Sequence, residues 1–453
     1  MIDKTREIAL KILYKIDKEK AYSNIVLNEY IKQNRKYLQD RDISLISEIV
    51  YGTTSWKLTI DEIIKKYSKI KLKKISSWIL NILRMGIYQI IFLDKIPKSA
   101  AVNESVELAK RYGHKSSSNF VNAILRKISK KDYEEFFNIK DDIERISKTY
   151  SIPDWLLKRL SKQLNIEEIE EVSKCSNLRP KISIRVNKLK TTKENLIKNL
   201  KKRNIKIEEG LLEDFLILEN AKNIEKIEEF KEGKFTVQDE TAGLIPIILE
   251  AKPEEIILDA CSSPGGKTTY LAEMMENKGK IEAWDIHEHR TKLVKEAAER
   301  LGITIIKETV NDASIYNGKY KEKFDKILLD VPCLGTGVLK RKPDIKWQKN
   351  EEDIEEITSI QKKILQSCSK YLKKGGNLIY STCSILKEEN EKIIEDFLKD
   401  NKNFEIVSID IEKNKKIINK EFFQKYKKLN KYLQVYQNNY TDGFFICKLT
   451  KNK

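Results

Sequence analysis

The second half of the chain alternates strand-like and helix-like segments, and this alternation restricts the fold more than any other feature of the sequence. Its apolar runs are short, and most of them are followed by a stretch with the period of an amphipathic helix. These runs lie at residues 256–260, 281–285, 303–308, 324–330 and 377–383. Segments that alternate in this way predict a parallel sheet with right-handed crossover connections. A last apolar run, residues 443–449, is expected to close the region as one more strand.

Glycines indicate where two of the intervening helices end. A helix from about His287 to Leu301 is expected to stop at Gly302, since glycine adopts the left-handed conformation that ends many helices. A longer helix, at about residues 352–372, is expected to be ended by Gly375 and Gly376. The sequence therefore predicts a Rossmann-like α/β domain over this half of the chain.

The first half divides into two regions of different pattern. Residues 1–140 have helical periodicity throughout and contain no carboxylate pair or Cys/His cluster, which is typical of a helical bundle that acts as a binding module. The next region mixes helical segments with strand-like runs at 182–186 and 215–218, which predicts a small α+β domain. Arg185 is expected there either to contact RNA or to lie on a solvated strand face. The predicted domains are 1–140, 141–235 and 236–453.

The charge of the chain favours a polyanionic partner. Its 87 Lys and Arg outnumber its 69 Asp and Glu, which gives a net charge of +18. Nucleic acid is favoured over an acidic membrane surface, because no basic amphipathic helix with an aromatic face is present. No apolar run is long enough to span a bilayer, and the N-terminal pattern is neither a signal nor a transit peptide. We therefore expect a cytoplasmic protein without membrane contact.

Six cysteines are scattered along the chain without a CxxC pair or a histidine spacing suited to zinc. In a cytoplasmic protein they are expected to be free thiols, and no metal site is predicted. Cys175, Cys368 and Cys447 are expected to be buried thiols without a chemical role, Cys368 in mid-helix and Cys447 in an apolar strand.

Polar residues follow the predicted strands at the points where ligands bind in open α/β sheets. These candidate positions are Asp259–Lys267, Asp285, Asn311–Asp312, Asp330–Cys333 and Ser381–Ser384. Three acids at three successive strand ends are hard to explain as turn residues alone, so we expect a ligand site at this edge of the sheet.

The first of these positions is a glycine turn, DACSSPGGKTTYL, that has three possible interpretations. Its GGKT matches the end of a phosphate-binding P-loop, but Cys261 stands where that motif needs glycine, and Pro264 has no N–H to donate to a phosphate. The dinucleotide fingerprint is also absent. S-adenosylmethionine (SAM) needs a tight turn, an acid at the end of the next strand and a polar group near its adenine. Asp285 and Asp312 are placed for the last two.

Two cysteines and an acid indicate the reaction. Carbon 5 of a cytosine accepts a methyl group only after a thiolate has added at carbon 6, with an acid near ring nitrogen 3 and a base to remove the carbon 5 hydrogen. Asp330, Cys333 and Cys383 supply one acid and two thiols at neighbouring strand ends. The spacing alone leaves open which of the two cysteines attacks the base.

The catalytic half resembles the RNA cytosine-5 methyltransferases. The matching segments are DACSSPGGKT, WDIHEHR, NDA, DVPCLGTGVLKRKPDIKW and STCS. The N-terminal region resembles the NusB-like RNA-binding domain of the RsmB (Sun/Fmu) subfamily through RDISLISEIVYGT, LRMGIYQIIFLDKIP, AAVNESVELAKRYG and FVNAILRKI, and VQDETAGL resembles the start of that subfamily's catalytic domain. Ser263 stands where the family usually has alanine.

The resemblance implies a SAM-dependent enzyme that methylates carbon 5 of a flipped-out cytosine in 16S ribosomal RNA. It assigns Cys383 as the nucleophile and Cys333 as the thiol that assists release, with Asp330 beside them. It also implies a SAM site, formed by Cys261, Ser262, Ser263, Pro264, Gly265, Gly266, Lys267, Asp285, Asp312 and Asp330.

Further expectations concern the RNA. The substrate would be free 16S ribosomal RNA or an early assembly intermediate, and the protein a monomer. Lys340, Arg341, Lys342 and Trp347 are expected either to hold the RNA strand or to form a flexible surface loop. Two rival functions stay open at this point. One is an RNA chaperone with a vestigial cofactor site, and the other is a P-loop hydrolase.

Overall fold

A computed structural model gives the fold and describes residues 3–219, 221, 223–424, 426–428 and 431–452. The chain divides into two compact units. The first extends to Leu178 and also contains the later segment Leu339–Glu351, and the second contains Arg179–Val338 and the chain from Glu352 onward. The domain boundaries given above stay a prediction.

The first unit is helical, as the periodicity predicted. Its helices are α1 Lys4–Glu19, α2 Ser23–Asn34, α3 Asp40–Ser55, α4 Lys57–Tyr67, α5 Ser77–Phe92, α6 Lys98–Tyr112, α7 Lys115–Leu125, α8 Lys131–Glu134, α9 Asp142–Tyr150, α10 Asp154–Leu160 and α11 Ile166–Cys175. Helix α5 is apolar on most of its surface, so it is buried along its length and forms the centre of this unit's core. Ser76 caps its N-terminus by accepting a hydrogen bond from the Ile79 N–H.

The remaining helices are α12 Lys193–Lys202, α13 Glu228–Lys231, α14 Glu240–Leu249, α15 Gly266–Met274, α16 Glu288–Leu301, α17 Ile345–Gln348, α18 Asp353–Cys368, α19 Glu391–Asp400 and α20 Lys420–Gln424. Of these, α17 lies in the first unit and the others in the second. The strands are β1 Ile182–Val186, β2 Ile207–Glu209, β3 Phe215–Leu218, β4 Phe235–Val237, β5 Ile256–Asp259, β6 Lys280–Asp285, β7 Ile306–Val310, β8 Phe324–Asp330, β9 Leu372–Thr382, β10 Phe404–Ile406, β11 Lys427–Lys428, β12 Tyr432–Val435 and β13 Phe444–Lys451.

The segment Leu339–Glu351 packs inside the first unit through buried polar contacts. Ser23 donates from its N–H and its hydroxyl to Asp344, at 3.1 and 2.7 Å. The buried Lys346 ammonium donates to Asn177 Oδ1 at 2.7 Å, and the Trp347 indole donates to the Thr54 carbonyl at 2.6 Å. The expected flexible surface loop is therefore wrong, because this segment fills space within the helical unit.

The small α+β region is confirmed as an antiparallel sheet of strand order β2-β3-β1-β4. Both expectations for Arg185, on β1, are wrong. Its side chain is fully buried and hydrogen-bonded within the second unit, so it lies neither on a solvated face nor where RNA could reach it. A charged residue on a strand usually faces water, which is why the sequence pattern misplaced this one.

The predicted parallel sheet is the centre of a larger mixed sheet. Its strand order is β11-β12-β13-β9-β8-β5-β6-β7, with β10 paired to β13. Strands β5 to β9 run parallel, whereas β13 pairs antiparallel with β9. The strand expected at residues 303–308 begins at Ile306 instead, because Gly302, with φ +76°, and Ile303 donate their N–H groups back to the end of α16.

Two details between β8 and β9 differ from the expectation. Helix α18 ends at Cys368, so this cysteine lies at the end of the helix and not in its middle. Gly375 and Gly376 do not end a helix but lie inside β9. The pairing of β8 with β9 shifts register between Phe324 and Lys326, and the additional β9 residues are accommodated there as a bulge.

Candidate active site

The predicted strand-end residues all lie at the carboxyl edge of the parallel strands. Asp259, Asp285 and Asp330 are the last residues of β5, β6 and β8. Asp312 follows β7, and Cys383 follows β9 directly. Because these strands are parallel neighbours, the structure brings the predicted positions to one edge of the sheet, where open α/β sheets bind ligands.

The glycine turn connects β5 to α15 and is held against the next strand. Ser262 donates from its N–H and its hydroxyl to the Trp284 carbonyl at 2.8 and 2.9 Å. Pro264 follows a cis peptide bond, and Gly265 has φ +99°, a conformation that favours glycine. A Cβ on Gly265 would stand 3.1 Å from the Val294 Cα, so the turn also approaches α16 closely.

Replacing Gly265 with alanine is expected to lower the free energy of unfolding by about 1–3 kcal/mol, because the left-handed conformation and the approach to Val294 both disfavour a side chain. Urea unfolding followed by circular dichroism would measure this. Gly266→Ala is the matched control, since a Cβ there meets only the Gln238 amide, at 3.7 Å or more. Equal stability of the two variants would contradict the role given to Gly265.

Some buried polar atoms at this edge of the sheet have no hydrogen-bond partner. Two of them are Asp259 Oδ1, at the end of β5, and Asn311 Nδ2, just after β7. The other oxygen of Asp259 accepts from the Thr268 hydroxyl at 2.7 Å. Burial, with the nearby charge of Asp330, raises the pKa of Asp259 to about 7. Orphaned buried groups are costly in a folded protein, so these two atoms indicate a place for a polar ligand.

The other two acids at this edge are held in defined positions. Asp285 is buried, accepts from the His287 N–H at 3.1 Å and lies 3.3 Å from the Arg290 guanidinium. Asp312 accepts from the N–H and the hydroxyl of Ser314, at 2.9 and 2.7 Å. The apolar neighbours Ile286, Val310 and Ile315 are more than half exposed, and the sequence analysis did not single them out. Their exposure beside the acids is the signal that marks them as part of the edge.

The two predicted thiols are in direct contact. Cys333 Sγ lies 2.9 Å from Cys383 Sγ. Asp330, three residues before Cys333, accepts from the Ser381 hydroxyl at 3.0 Å and from the Lys267 ammonium at 2.7 Å. Burial works against the charge of Lys267, but the adjacent Asp330 carboxylate raises the pKa of this ammonium group. Lys267 of the glycine turn thereby joins the turn to the acid beside the thiols.

The electrostatics of the thiol pair differ from those of an isolated cysteine. The hydrogen bond with Cys383, together with burial, raises the pKa of the Cys333 thiol well above its ordinary value. This shift belongs to the pair in contact, so Cys333 is a poor nucleophile while its thiol is hydrogen-bonded to Cys383. Burial also raises the pKa of the Cys261 thiol.

Three residues that sequence reasoning missed hold the two cysteine loops together. The Gly337 N–H donates to the Cys383 carbonyl at 2.9 Å, and a Cβ on Gly337 would come within 2.3 Å of the Gly443 carbonyl. The buried carboxyl of Glu389 accepts from the Leu334 N–H at 2.9 Å and from Gln361 at 3.0 Å. Burial raises the pKa of Glu389. No motif marks Glu389, in the turn before α19, or Gln361, in α18, because each contacts the loops from a segment outside the motifs.

No helix in the described part of the chain has the length and apolar character that a membrane crossing requires. Within residues 3–452, apart from the few that the structure does not describe, no group of three or more His, Cys, Asp or Glu could hold a metal ion.

Three family models match the chain in consecutive regions. Residues 3–130 match the NusB family, and residues 152–225 match a ferredoxin-like domain of RsmF/B-like methyltransferases. Residues 246–450 match the family described as 16S rRNA methyltransferase RsmB/F.

Curated relatives and solved structures extend this similarity over the whole length. A probable ribosomal RNA small subunit methyltransferase B of Bacillus subtilis (strain 168) is 37% identical, over 98% of this chain and 98% of its own. Ribosomal RNA small subunit methyltransferase B of Shewanella oneidensis is 33% identical, over 87% of this chain and 89% of its own. The crystal structure of PH0851 is 29% identical with a TM-score of 0.81, and it covers 100% of both chains. The chain therefore belongs to the RsmB family of 16S ribosomal RNA methyltransferases, with a NusB-family N-terminal domain and a ferredoxin-like middle domain.

Proposed function

We propose that this enzyme methylates carbon 5 of a specific cytosine in 16S ribosomal RNA, through a covalent bond between Cys383 and carbon 6 of the base. The observation that carries the proposal is the thiol pair. Cys333 and Cys383 lie 2.9 Å apart, and Asp330, which is paired with Lys267, lies at the same edge of the sheet. Family membership supplies the reaction class, and the two thiols and the acid supply the groups that carbon 5 of a cytosine requires.

The glycine turn and the acids around it would hold SAM. The site leaves room for it, since a Cβ on Gly266 would meet nothing closer than the Gln238 amide at 3.7 Å. The unpartnered Asp259 oxygen suits the amino group of SAM, and Asp285 suits its ribose hydroxyls. Asp312 and the exposed side chains beside it would line the adenine side. When bound there, SAM would supply a methyl group activated by its sulfonium.

Cys383 would start the reaction on the base. Its thiolate adds to carbon 6, and the electron pair of the 5,6 double bond moves to carbon 5, which becomes nucleophilic. Asp330 would hold a proton at ring nitrogen 3 and so accept the charge that develops on the ring. Its contacts with Lys267 and Ser381 fix its carboxyl group in place for this task.

Cys333 would complete the reaction. After methylation, a base must remove the proton from carbon 5, and the electron pair of that bond then re-forms the double bond and expels the Cys383 thiolate. The group in contact with Cys383 is the Cys333 thiol. Cys333 would lose its own proton to solvent while Cys383 is bonded to the base, and its thiolate would then accept the carbon 5 proton. The expelled Cys383 thiolate is then free for another cycle.

The relatives and the chemistry both support a ribosomal RNA substrate. Two of the relatives are named as small subunit ribosomal RNA methyltransferases. The net charge of +18 on this chain also suits a polyanionic substrate. A cytosine must leave its stack to meet a thiol, which costs least in a loop. We therefore propose free 16S ribosomal RNA or an early assembly intermediate as the substrate.

Incubation with labelled SAM and unmodified 16S ribosomal RNA tests the proposal. We expect the label in 5-methylcytosine at one position of the RNA after nuclease digestion and chromatography. If the protein binds SAM but forms no 5-methylcytosine on free RNA or on assembly intermediates, the proposed reaction is wrong.

SAM affinity is expected to rise with pH across neutrality. Asp259 has a pKa of about 7 because of burial, so it is mostly neutral at pH 6 and mostly ionised at pH 7.5. If its carboxylate pairs with the ligand's ammonium, the Kd of SAM should fall roughly tenfold over this interval. Isothermal titration calorimetry measures the Kd. In the Asp259→Asn variant, only the pH dependence that comes from SAM itself should remain. If the Kd of this variant changes with pH as that of the wild type does, Asp259 does not bind SAM.

A further inference from the structure

We propose that Arg185, on the first strand of the ferredoxin-like domain, is a positioning residue that sets the SAM affinity of the glycine turn. It does so without contact to SAM, by fixing the first two turns of α15. The inference rests on the proposed cofactor site at Gly265 and Gly266. It concerns a residue outside the sequence motifs of the methyltransferase domain.

All five N–H donors of the Arg185 guanidinium have acceptors. Nε and one Nη2 hydrogen reach the two carboxylate oxygens of Glu273, at 3.2 and 2.7 Å. The other Nη2 hydrogen reaches the Thr269 hydroxyl at 3.1 Å. Nη1 donates to the Gly266 carbonyl at 2.8 Å and to the Gln238 side chain. Arginine has five donors in a rigid plane, so this set fixes the guanidinium in one orientation.

Apart from Gln238, these acceptors lie along one side of α15, starting at its first residue. Gly266 directly follows the left-handed Gly265, and Thr269 and Glu273 come one and two turns later. The guanidinium carbon also lies 4.5 Å from the centre of the Tyr270 ring. Arg185 therefore holds α15 at the glycine turn. A small rotation of this helix would move the backbone of the turn, which faces the cofactor in the proposed site.

Burial makes these contacts strong and hard to replace. The side chain of Arg185 is 0% exposed and that of Glu273 is 4% exposed. Burial raises the pKa of Glu273, and the neighbouring guanidinium opposes that shift. A buried charge pair is weak evidence of stabilisation, but it does select one geometry, because misaligned partners would be left unpaired. A precise orientation of α15 relative to β1 is what a positioning role needs.

Arg300 is the matched control, because it joins the same two domains without touching the turn. It lies in α16 and donates to the carbonyls of Phe230 and Phe235, at 2.8 and 3.0 Å, and to the Thr236 hydroxyl at 3.1 Å. Its guanidinium also stacks on the Phe230 ring at 4.0 Å. If contact between these domains mattered only for stability, loss of either arginine should have the same consequences.

The test compares the full-length wild type with Arg185→Met, Arg185→Lys and Arg300→Met. Calorimetry gives the Kd of SAM, thermal unfolding gives Tm, and methyl transfer gives kcat and the KM values for SAM and RNA. We expect Arg185→Met to raise the Kd and KM of SAM at least about tenfold. Its KM for RNA and its kcat at saturating SAM should stay close to those of the wild type. Arg185→Lys has only three donors and should fall between the two.

The control separates positioning from simple stabilisation. Arg300→Met should lower Tm and leave the Kd of SAM unchanged. An unchanged Kd in Arg185→Met, or an equal rise in Kd in Arg300→Met, would overturn the inference. A wild type that fails to bind SAM would overturn the proposed cofactor site and this inference with it, so the two failures are distinguishable.

One further variant guards against misfolding. Arg185→Met alone leaves Glu273 buried without its partner, so it could fail to fold. In that case the double variant Arg185→Met with Glu273→Met removes both charges and restores an apolar contact. We expect it to fold and still to bind SAM about tenfold more weakly. A double variant with wild-type affinity would overturn the inference.

Discussion

Replacing Cys383 with serine is expected to lower methyl transfer to 16S ribosomal RNA by about four orders of magnitude or more, with the Kd of SAM unchanged. A serine hydroxyl is not ionised at neutral pH, so nothing would add to carbon 6 of the base. Transfer of label from SAM to RNA under single-turnover conditions measures the loss, and calorimetry measures the Kd.

Cys175→Ser is the matched control for this prediction. Cys175 is buried in the helical unit, and burial raises its pKa to about 12, so it has no thiolate to contribute. We expect this variant to keep wild-type activity. Full activity in Cys383→Ser, together with its loss in Cys333→Ser, would show that the two thiols have exchanged the roles proposed for them.

Replacing Cys333 with alanine is expected to trap the enzyme on its RNA. The variant should add through Cys383 and methylate carbon 5, but it lacks the base that removes the carbon 5 proton. The covalent adduct should therefore accumulate, and turnover should fall by about two to four orders of magnitude. A denaturing gel shows the adduct as a slowly migrating band that ribonuclease removes.

The adduct should depend on each of its proposed parts. It should need SAM and unmodified RNA for the methylated form, and it should be absent when Cys383 is also replaced by alanine. A Cys333→Ala variant that turns over rapidly and forms no adduct would contradict the role of Cys333. Another base, such as the Asp330 carboxylate, would then have to remove the carbon 5 proton.

The sequence predicted the edge of the sheet well because strand periodicity and strand-end chemistry are local. Strand β8 was predicted residue for residue, and the acid that ends it lies at the expected edge. The motif around Cys333 and Cys383 then indicated one site, because parallel strands carry their carboxyl ends to the same place. The 2.9 Å contact between the thiols could not be predicted, since it depends on how two loops fold over each other.

The sequence patterns misplaced polar side chains that tertiary contacts bury away from water. Arg185 and Lys346 look like surface residues in the sequence, yet both are fully buried. Glu389 belongs to no motif, although its carboxyl group accepts hydrogen bonds from the Leu334 N–H, next to Cys333, and from the Ser384 hydroxyl, next to Cys383. It also accepts one from the Gln361 amide. A buried charge is recognisable only from its partners, and most of these partners lie tens to hundreds of residues away in the chain.

The inclusion of Leu339–Glu351 in the helical unit has a consequence for folding during synthesis on the ribosome. The first part of the helical unit ends at Leu178, but the segment that completes the unit is synthesised roughly 160 residues later. At about 5–20 residues per second, that delay is on the order of ten to thirty seconds. During this interval Ser55 and Asn177 lack Lys346, and Thr54 lacks the Trp347 indole. The helical unit would thus be completed only after the strand that carries Asp330 has been made.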